Sequence, residues 1–372
     1  MRALIIADEF FASRERALLS RLEIGLADEG VRVIQALPET VEGAEGGNLF
    51  STVVRYSTRT LSLTRRFAAR KLVRSLFASL GEDDDGEIDL LHVFGGAVWG
   101  LGIETAGLLG AQLVLEVWRS GLVDRAIGVS QSLKKRGEGL EPVLMAPDAA
   151  IEKALTAAGG LVRPALWGVH VPSETRVVLP EGRAVTAMLV GSGRDARSFV
   201  AALTGVAEAL REAPDAVIFC DALAARRAGL WQAAKRLGVL DRLTLIEELE
   251  GRCDLLVHGD LLVHPDAQGE QRSIVLEAMA AGMVVIAARD PMVSFLVEDK
   301  TARLVDGGSA AAWREATAGV LRDRVGAREL SASAVQYVRA NRLASMHVRQ
   351  VLAAYDWMTG RQAIPMGKAA GG

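Results

Sequence analysis

Short apolar runs alternate with helix-period stretches along this chain, and the alternation starts afresh halfway. Residues 2–7 form the first run. A helical stretch follows from Arg16 to Glu29, stops at Gly30, and gives way to a second run from Val31 to Ala36. Successive strands joined through a helix run parallel, and helices then cover both faces of the sheet. The pattern recurs with strands at Asp89 to Phe94, Gln112 to Trp118, Val143 to Met145 and Val162 to Leu166. One helix ends near Leu109 and another starts at Asp148. The second series opens at Val185 to Val190, followed by a helix from about Ala196 to Glu212. Its further strands are Ala216 to Cys220, Leu243 to Glu247, Asp260 to His264, Val284 to Ala288 and Arg303 to Val305. The stretch GVHVPSETRVVLPEGR joins the two series. The expected architecture is two Rossmann-like parallel-sheet domains facing a central cleft, residues 1–170 and 171–339. A helix over about 340–359 is expected to cross back onto the first domain. The tail, 360–372, is expected to be disordered.

Charge and cysteine usage narrow the function classes. Lys plus Arg number 43 and Asp plus Glu 46, a net charge of −3, which argues against a dedicated nucleic-acid binder. Cys220 and Cys253 lie in apolar contexts and form neither a disulfide framework nor a zinc spacing, so a reducing compartment is expected. MRALIIADEFF reads as a first strand rather than a signal peptide, and no run reaches the length of a spanning helix. The expected location is the cytosol, with peripheral membrane contact open. From Gly46 to Gly81 there is no acid and there are seven bases: Arg55, Arg59, Arg65, Arg66, Arg70, Lys71 and Arg74. This segment fits two readings, a basic amphipathic helix on an anionic membrane or acceptor, or a solvated outer face. EDDDGE at 82–87 reads as an exposed loop.

In open parallel sheets, ligands bind beyond the carboxyl ends of the strands. VGSGRDARSF (190–199) follows a strand and opens a helix. Gly191 and Gly193 let backbone N–H groups approach a phosphate, and Arg194 and Arg197 offer guanidinium forks for a diphosphate. A tight turn with two surface arginines is the other reading. HPDAQGEQRSIVLEAMAAG (264–282) carries Glu277 in a helix that is apolar almost all round, with Ser273 as expected N-cap and Gly282 as stop. Glu277 lies four residues past Ser273, and a capping box needs three. A buried carboxylate needs partners. Those are either the paired hydroxyls of a ribose or an arginine, Arg272 or one from elsewhere in the chain. Glu9, Phe10 and Phe11, after the first strand, either line an acceptor pocket or pack against a neighbouring loop. His92 and His264 lie at strand ends near the cleft.

PDAQGEQRSIVLEAMAAGMVVIA resembles the signature of the family-4 (group 1) retaining glycosyltransferases of the GT-B fold: a glutamate, seven residues, a second glutamate in an LEAMAxG helix, then a strand. DLLHVFGGAVWGLGIETAGLLGAQLVLEVW, RPALWGVHVP, MLVGSGRDARSF and DKTARLVDGG resemble further blocks of that family in order and spacing. The resemblance implies a nucleotide-diphosphate sugar, UDP- or GDP-linked, held by the C-terminal domain. It implies a glycan or lipid-linked acceptor on the N-terminal domain, and no cofactor or metal beyond the donor. Glu277 matches the glutamate that binds the ribose.

The chain departs from the pattern at several positions. Eight residues before Glu277 stands Gly269, with Glu270 one place off. Ser192 replaces the loop arginine and Arg197 the loop lysine. Trp118 and then Arg119 stand where the family has a histidine, and Asp290-Pro291 where it often has GGxxE. The residues expected to act on the reaction are Glu270, His92 and Arg119. Those expected to hold the donor are Glu277, Gly191, Gly193, Arg194, Arg197, Gly269 and Ser273. A GT-B-like nucleotide-binding or scaffold protein without turnover is the alternative.

Overall fold

A computed structural model describes residues 1–41, 51–58, 64–80, 86–137, 140–174, 176–213, 215–306 and 308–360. The N-terminal sheet has strands β1 (Arg2–Ala7), β2 (Arg32–Pro38), β3 (Ser51–Tyr56), β4 (Leu90–Phe94), β5 (Gln112–Glu116), β6 (Val143–Ala146) and β7 (Val162–Pro164). They run parallel in the order β3-β2-β1-β4-β5-β6-β7. The second sheet holds β8 (Thr186–Leu189), β9 (Val217–Asp221), β10 (Leu243–Ile246), β11 (Leu261–His264), β12 (Val284–Ala288) and β13 (Arg303–Val305), parallel in the order β10-β9-β8-β11-β12-β13. Both orders reverse beside the first strand of the sheet, at β1/β4 and at β8/β11. Loops there diverge to opposite faces and leave a crevice at the carboxyl ends of the strands.

The helices of the first domain are α1 (Glu9–Arg14), α2 (Arg16–Asp28), α3 (Arg65–Leu80), α4 (Trp99–Leu109), α5 (Val123–Arg136) and α6 (Ala149–Ala157). Those that follow are α7 (Ala196–Ala209), α8 (Ala222–Ala228), α9 (Leu230–Leu237), α10 (Ser273–Ala280), α11 (Ala310–Arg322), α12 (Arg324–Asn341) and α13 (Ala344–Thr359). Near-continuous burial of β1, β4 and β11 reflects helices on both faces of each sheet.

The expected helix from Arg16 to Glu29 is α2, and a separate short helix, α1, precedes it with Glu15 between the two. The final helix does not run unbroken from Ala340. The chain breaks at Arg342-Leu343, where Val169 N donates to Arg342 O at 2.8 Å and Ala344 N to Val169 O at 3.0 Å. Arg342 is buried and donates to Pro147 O at 2.9 Å and Asp148 Oδ2 at 3.0 Å. These bonds take the place of the helical ones lost at the break. Beyond it, α13 lies on α2 and β7 of the N-terminal domain, and Gly25 of α2 leaves room for Val348.

α3 buries Ala69, Leu72 and Leu76 and turns Arg66, Phe67, Arg70, Lys71, Arg74 and Phe77 outward. Arg59, residues 82–85 of the acidic run and the tail 361–372 lie outside the described residues. Among the described residues no helix is long and apolar enough to cross a membrane.

Candidate active site

The loop between β11 and α10 reaches across the cleft. Gly269 has φ +66, and a Cβ there would collide with Ser120 Oγ. Only glycine combines that backbone with so close an approach. Gly269 N donates to Asp290 Oδ2 at 2.6 Å, and Gly269 O accepts from Ser120 N at 3.1 Å. Gln271 N donates to Trp118 O at 2.9 Å, so residues 118–120 and 269–271 form a short antiparallel bridge between the domains. The kink turns Glu270 inward. Its Oε1 accepts from Arg119 Nη1 at 3.3 Å and from Arg194 Nη1 at 3.2 Å, and Arg272 Nη1 lies 3.9 Å from its Oε2. Burial raises the Glu270 pKa, and the positive charges of Arg194 and Arg119 oppose that. Glu270, Arg119 and Arg194 thus converge from three strand ends, as one carboxylate among guanidinium groups.

The glycine loop after β8 is built as a tight turn. Gly191 and Gly193 have positive φ, and Cβ atoms there would strike Asp266 and Phe199, or the Ala224 backbone. Ser192 N donates to Asp266 Oδ2 at 2.5 Å. Arg194 is half-exposed and leans toward Glu270. Arg197 is exposed near the start of α7, beside Asp195, and does not join the cluster around Glu270.

Ser273 is not the N-cap of α10. It is the first helical residue, and Arg272, extended at φ −134, holds the cap position. The orphan donors at this helix start are met from the other domain. Glu15 Oε2 accepts from Ser273 N at 3.3 Å and from the Ser273 hydroxyl, and Glu15 Oε1 accepts from Arg272 Nε at 3.3 Å. Glu277, one turn on, pairs with Arg21 of α2. Arg21 is the arginine from elsewhere in the chain that one sequence reading expected, and the ribose reading calls for a ligand. Arg14 Nη1 donates to Glu250 Oε2 at 2.5 Å and Nη2 to Asp221 Oδ1 at 2.8 Å, while Arg272 also pairs with Glu250. Phe10 stacks on Trp118 at 4.5 Å and carries the Arg272 guanidinium 4.9 Å from its ring. Phe11 is fully buried against Phe94, Trp118 and Trp167. Both phenylalanines follow the packing reading.

His92 is a correction. It is fully buried inside the N-terminal sheet, with Nδ1 2.8 Å from the Tyr355 hydroxyl of α13 and Nε2 3.2 Å from Glu116 Oε2. Glu116 also accepts from Trp167 Nε1 at 2.7 Å. Burial lowers the His92 pKa to about 3 and raises that of Glu116 to about 8. A strand in a sheet covered on both faces gives no hint of which face a histidine takes, and this one faces core. His264 is also buried, with Nδ1 3.4 Å from Val190 O.

Sequence reading missed Arg14, Glu15, Arg21, Asp221 and Glu250. One signal was available: three consecutive charges, Arg14, Glu15 and Arg16, stand between apolar stretches in FFASRERALL. It also missed Asp8, at the end of β1, which caps α1 through Phe11 N at 3.2 Å and occupies the space a Gly95 side chain would need. Burial pushes its carboxyl up to about 6. Among the described residues no group of His, Cys, Asp and Glu is arranged to hold a metal.

Two parallel α/β domains whose strand ends face one cleft define the GT-B fold, and this chain has it. Sucrose-phosphate synthase from Thermosynechococcus elongatus is similar over 97% of this chain and 100% of its own, with TM-score 0.72 and 15% identity. Anabaena HepE, solved with UDP and glucose, is similar over 96% and 100%, with TM-score 0.70 and 14% identity. A glycosyltransferase from Rickettsia africae gives 97% and 99%, TM-score 0.68 and 12% identity. At such identities the likeness is one of fold. No protein-family model and no curated protein matches the sequence.

Proposed function

We propose that the protein transfers a sugar from a UDP- or GDP-linked donor to a glycan or lipid-linked acceptor, with retention at the anomeric carbon. The observation that carries this reading is the convergence of Arg119, Arg194 and Glu270 on the glycine loop at the β8/β11 switch point. Guanidinium groups beside a glycine turn and a helix start suit a diphosphate. Residues 171–339 are the donor domain and 1–170, with α13, the acceptor domain. Arg194 and Arg197, with the Gly191–Gly193 backbone, hold the diphosphate, and Glu277 holds the ribose. Gly269, Glu270 and Ser273 border the sugar. Arg119 neutralises the departing diphosphate, a task the reading gives to arginines rather than a metal. His92 keeps no part in it.

The same reading has the protein in the cytoplasm, with peripheral membrane contact through the basic segment. α3 supports this. It carries bases in its first turns and none in its last, against what the helix dipole favours. Phe67 and Phe77 are exposed among those bases. That combination suits an anionic bilayer beside the acceptor domain.

A scaffold or nucleotide-binding protein without turnover is the second reading, favoured by one observation. The place eight residues before Glu277 is filled by Ser120 against Gly269, with no room for a carboxylate. Donor hydrolysis and transfer assays with UDP- and GDP-sugars separate the two. Release of free sugar or a glycosylated product supports the enzyme. Nucleotide binding without turnover supports the scaffold.

A further inference from the structure

The crevice at the β8/β11 switch point holds two consecutive residues of the other domain. Arg14 ends α1 and Glu15 is the single residue between α1 and α2. Arg14 donates to Gly191 O at 3.4 Å as well as to Glu250 and Asp221, so it touches the ends of β8 and β9 and the segment after β10. Glu15 takes the N–H and the hydroxyl of Ser273 and the Nε of Arg272. Arg14 is 7% exposed and Glu15 1%.

Glu15 does not serve its own helix. It stands at the N-cap of α2 and makes no side-chain cap bond there. A side-chain cap stabilises a helix start, so α2 forgoes that while α10, in the other domain, receives the carboxylate. The cluster around it is also incompletely satisfied. Arg272 Nη1, Asp221 Oδ2 and Glu250 Oε1 are buried without hydrogen-bond partners. A partly satisfied buried ionic cluster is a weak stabiliser of the closed interface, and one of its unpartnered atoms, Arg272 Nη1, is a cationic donor that an entering anion can take.

We propose that Arg14-Glu15 is a plug: the Glu15 carboxylate stands in for an anionic ligand group at the start of α10, holds the cleft shut without ligand, and leaves when a diphosphate enters. This rests on the donor reading above. Glu15→Gln keeps the size and removes the charge. Hydrogen exchange on the full chain without ligand, with affinities for UDP, GDP and ADP, tests it. In Glu15→Gln the amides of 13–17 and 269–274 should exchange faster, and the preferred nucleotide should bind at least tenfold more tightly. Nucleotide added to the wild type should speed exchange at 13–17 while the start of α10 stays protected, a readout that needs no variant. Unchanged exchange in Glu15→Gln overturns the plug, as do equal affinities within twofold or protection of 13–17 by nucleotide. Faster exchange in Glu15→Gln with no nucleotide bound by either protein overturns the donor reading and upholds the plug as a domain latch.

Discussion

Ser120 N donates to the carbonyl of Gly269 at 3.1 Å, and this bond ties the loop after β5 to the loop after β11 across the cleft. Gly269 therefore carries two constraints, a left-handed backbone and a neighbour where a side chain would go. Gly269→Ala should destabilise the protein by about 1–3 kcal/mol, the cost of a non-glycine residue held in such a conformation. Thermal or urea unfolding reads this. Gly269→Glu should lose at least as much and gain no transfer activity. A stable Gly269→Glu with new turnover would show that the missing glutamate alone limits catalysis.

Arg21 and Glu277 form a largely buried ion pair between α2 and α10. Removing one member leaves the other charge stranded, which costs about 3 kcal/mol or more for a buried pair. Glu277→Ala and Arg21→Ala should each destabilise strongly, and the double variant by much less than their sum. Additive losses in that cycle would mean the pair is not coupled. Any ligand role for Glu277 is better read with Glu277→Gln, which keeps the shape.

The His92–Glu116–Tyr355 group ties α13 to the N-terminal sheet and predicts a pH dependence. Glu116 keeps its proton to about 8 when folded, against 4.5 ordinarily. Its contribution is complete below pH 4.5 and is lost as pH rises through 8. In that arrangement the Glu116 hydroxyl donates to His92 Nε2, and His92 Nδ1–H donates to the Tyr355 oxygen. His92 and the buried His347 of α13 act oppositely. Their pKa values fall from 6.5 to about 3, so the stability they contribute is present above 6.5 and is lost as pH falls through 3. Glu116→Gln should flatten the alkaline loss, gaining on the wild type in melting midpoint between pH 5 and pH 8.5. Parallel pH profiles for the two proteins would refute the protonated Glu116.

α3 should bind anionic vesicles. Cosedimentation with phosphatidylglycerol-containing vesicles should exceed that with phosphatidylcholine alone and fall with salt, each base near the surface being worth about 1 kcal/mol. A triple charge reversal at Arg66, Arg70 and Arg74 should abolish it, and Phe67→Ala with Phe77→Ala should weaken it. Equal binding to neutral vesicles, or none to either, would return α3 to a solvated outer face.

The strands were legible because parallel strands buried on both faces are short apolar runs, as at Leu261–His264 and Val284–Ala288. β3 was hidden, since STVVRY sits in a stretch dominated by its basic charge. The site was half legible. Arg194 stood out by its place after a strand, Glu277 as a lone charge in an apolar helix, and Glu270 by its offset from the family pattern beside Gly269; their ligand roles are part of the proposal. Their partners did not follow. Arg21 lies 256 positions from Glu277 and Glu15 lies 258 from Ser273, separations over which no local periodicity carries information. The Ser273 cap was misassigned for the same reason, because its partner comes from the other domain. His92 was misplaced because burial on both faces erases the alternation that would have told inside from cleft.

A nucleoside diphosphate bound in the β8/β11 crevice should stabilise the folded chain. Thermal unfolding of the wild-type chain with UDP, GDP, ADP and their sugars tests it directly. A nucleotide at 100 times its dissociation constant should stabilise by about 2.7 kcal/mol, and Glu277→Gln should remove most of that shift. No shift with any of these nucleotides would mean that the crevice is not a nucleotide site.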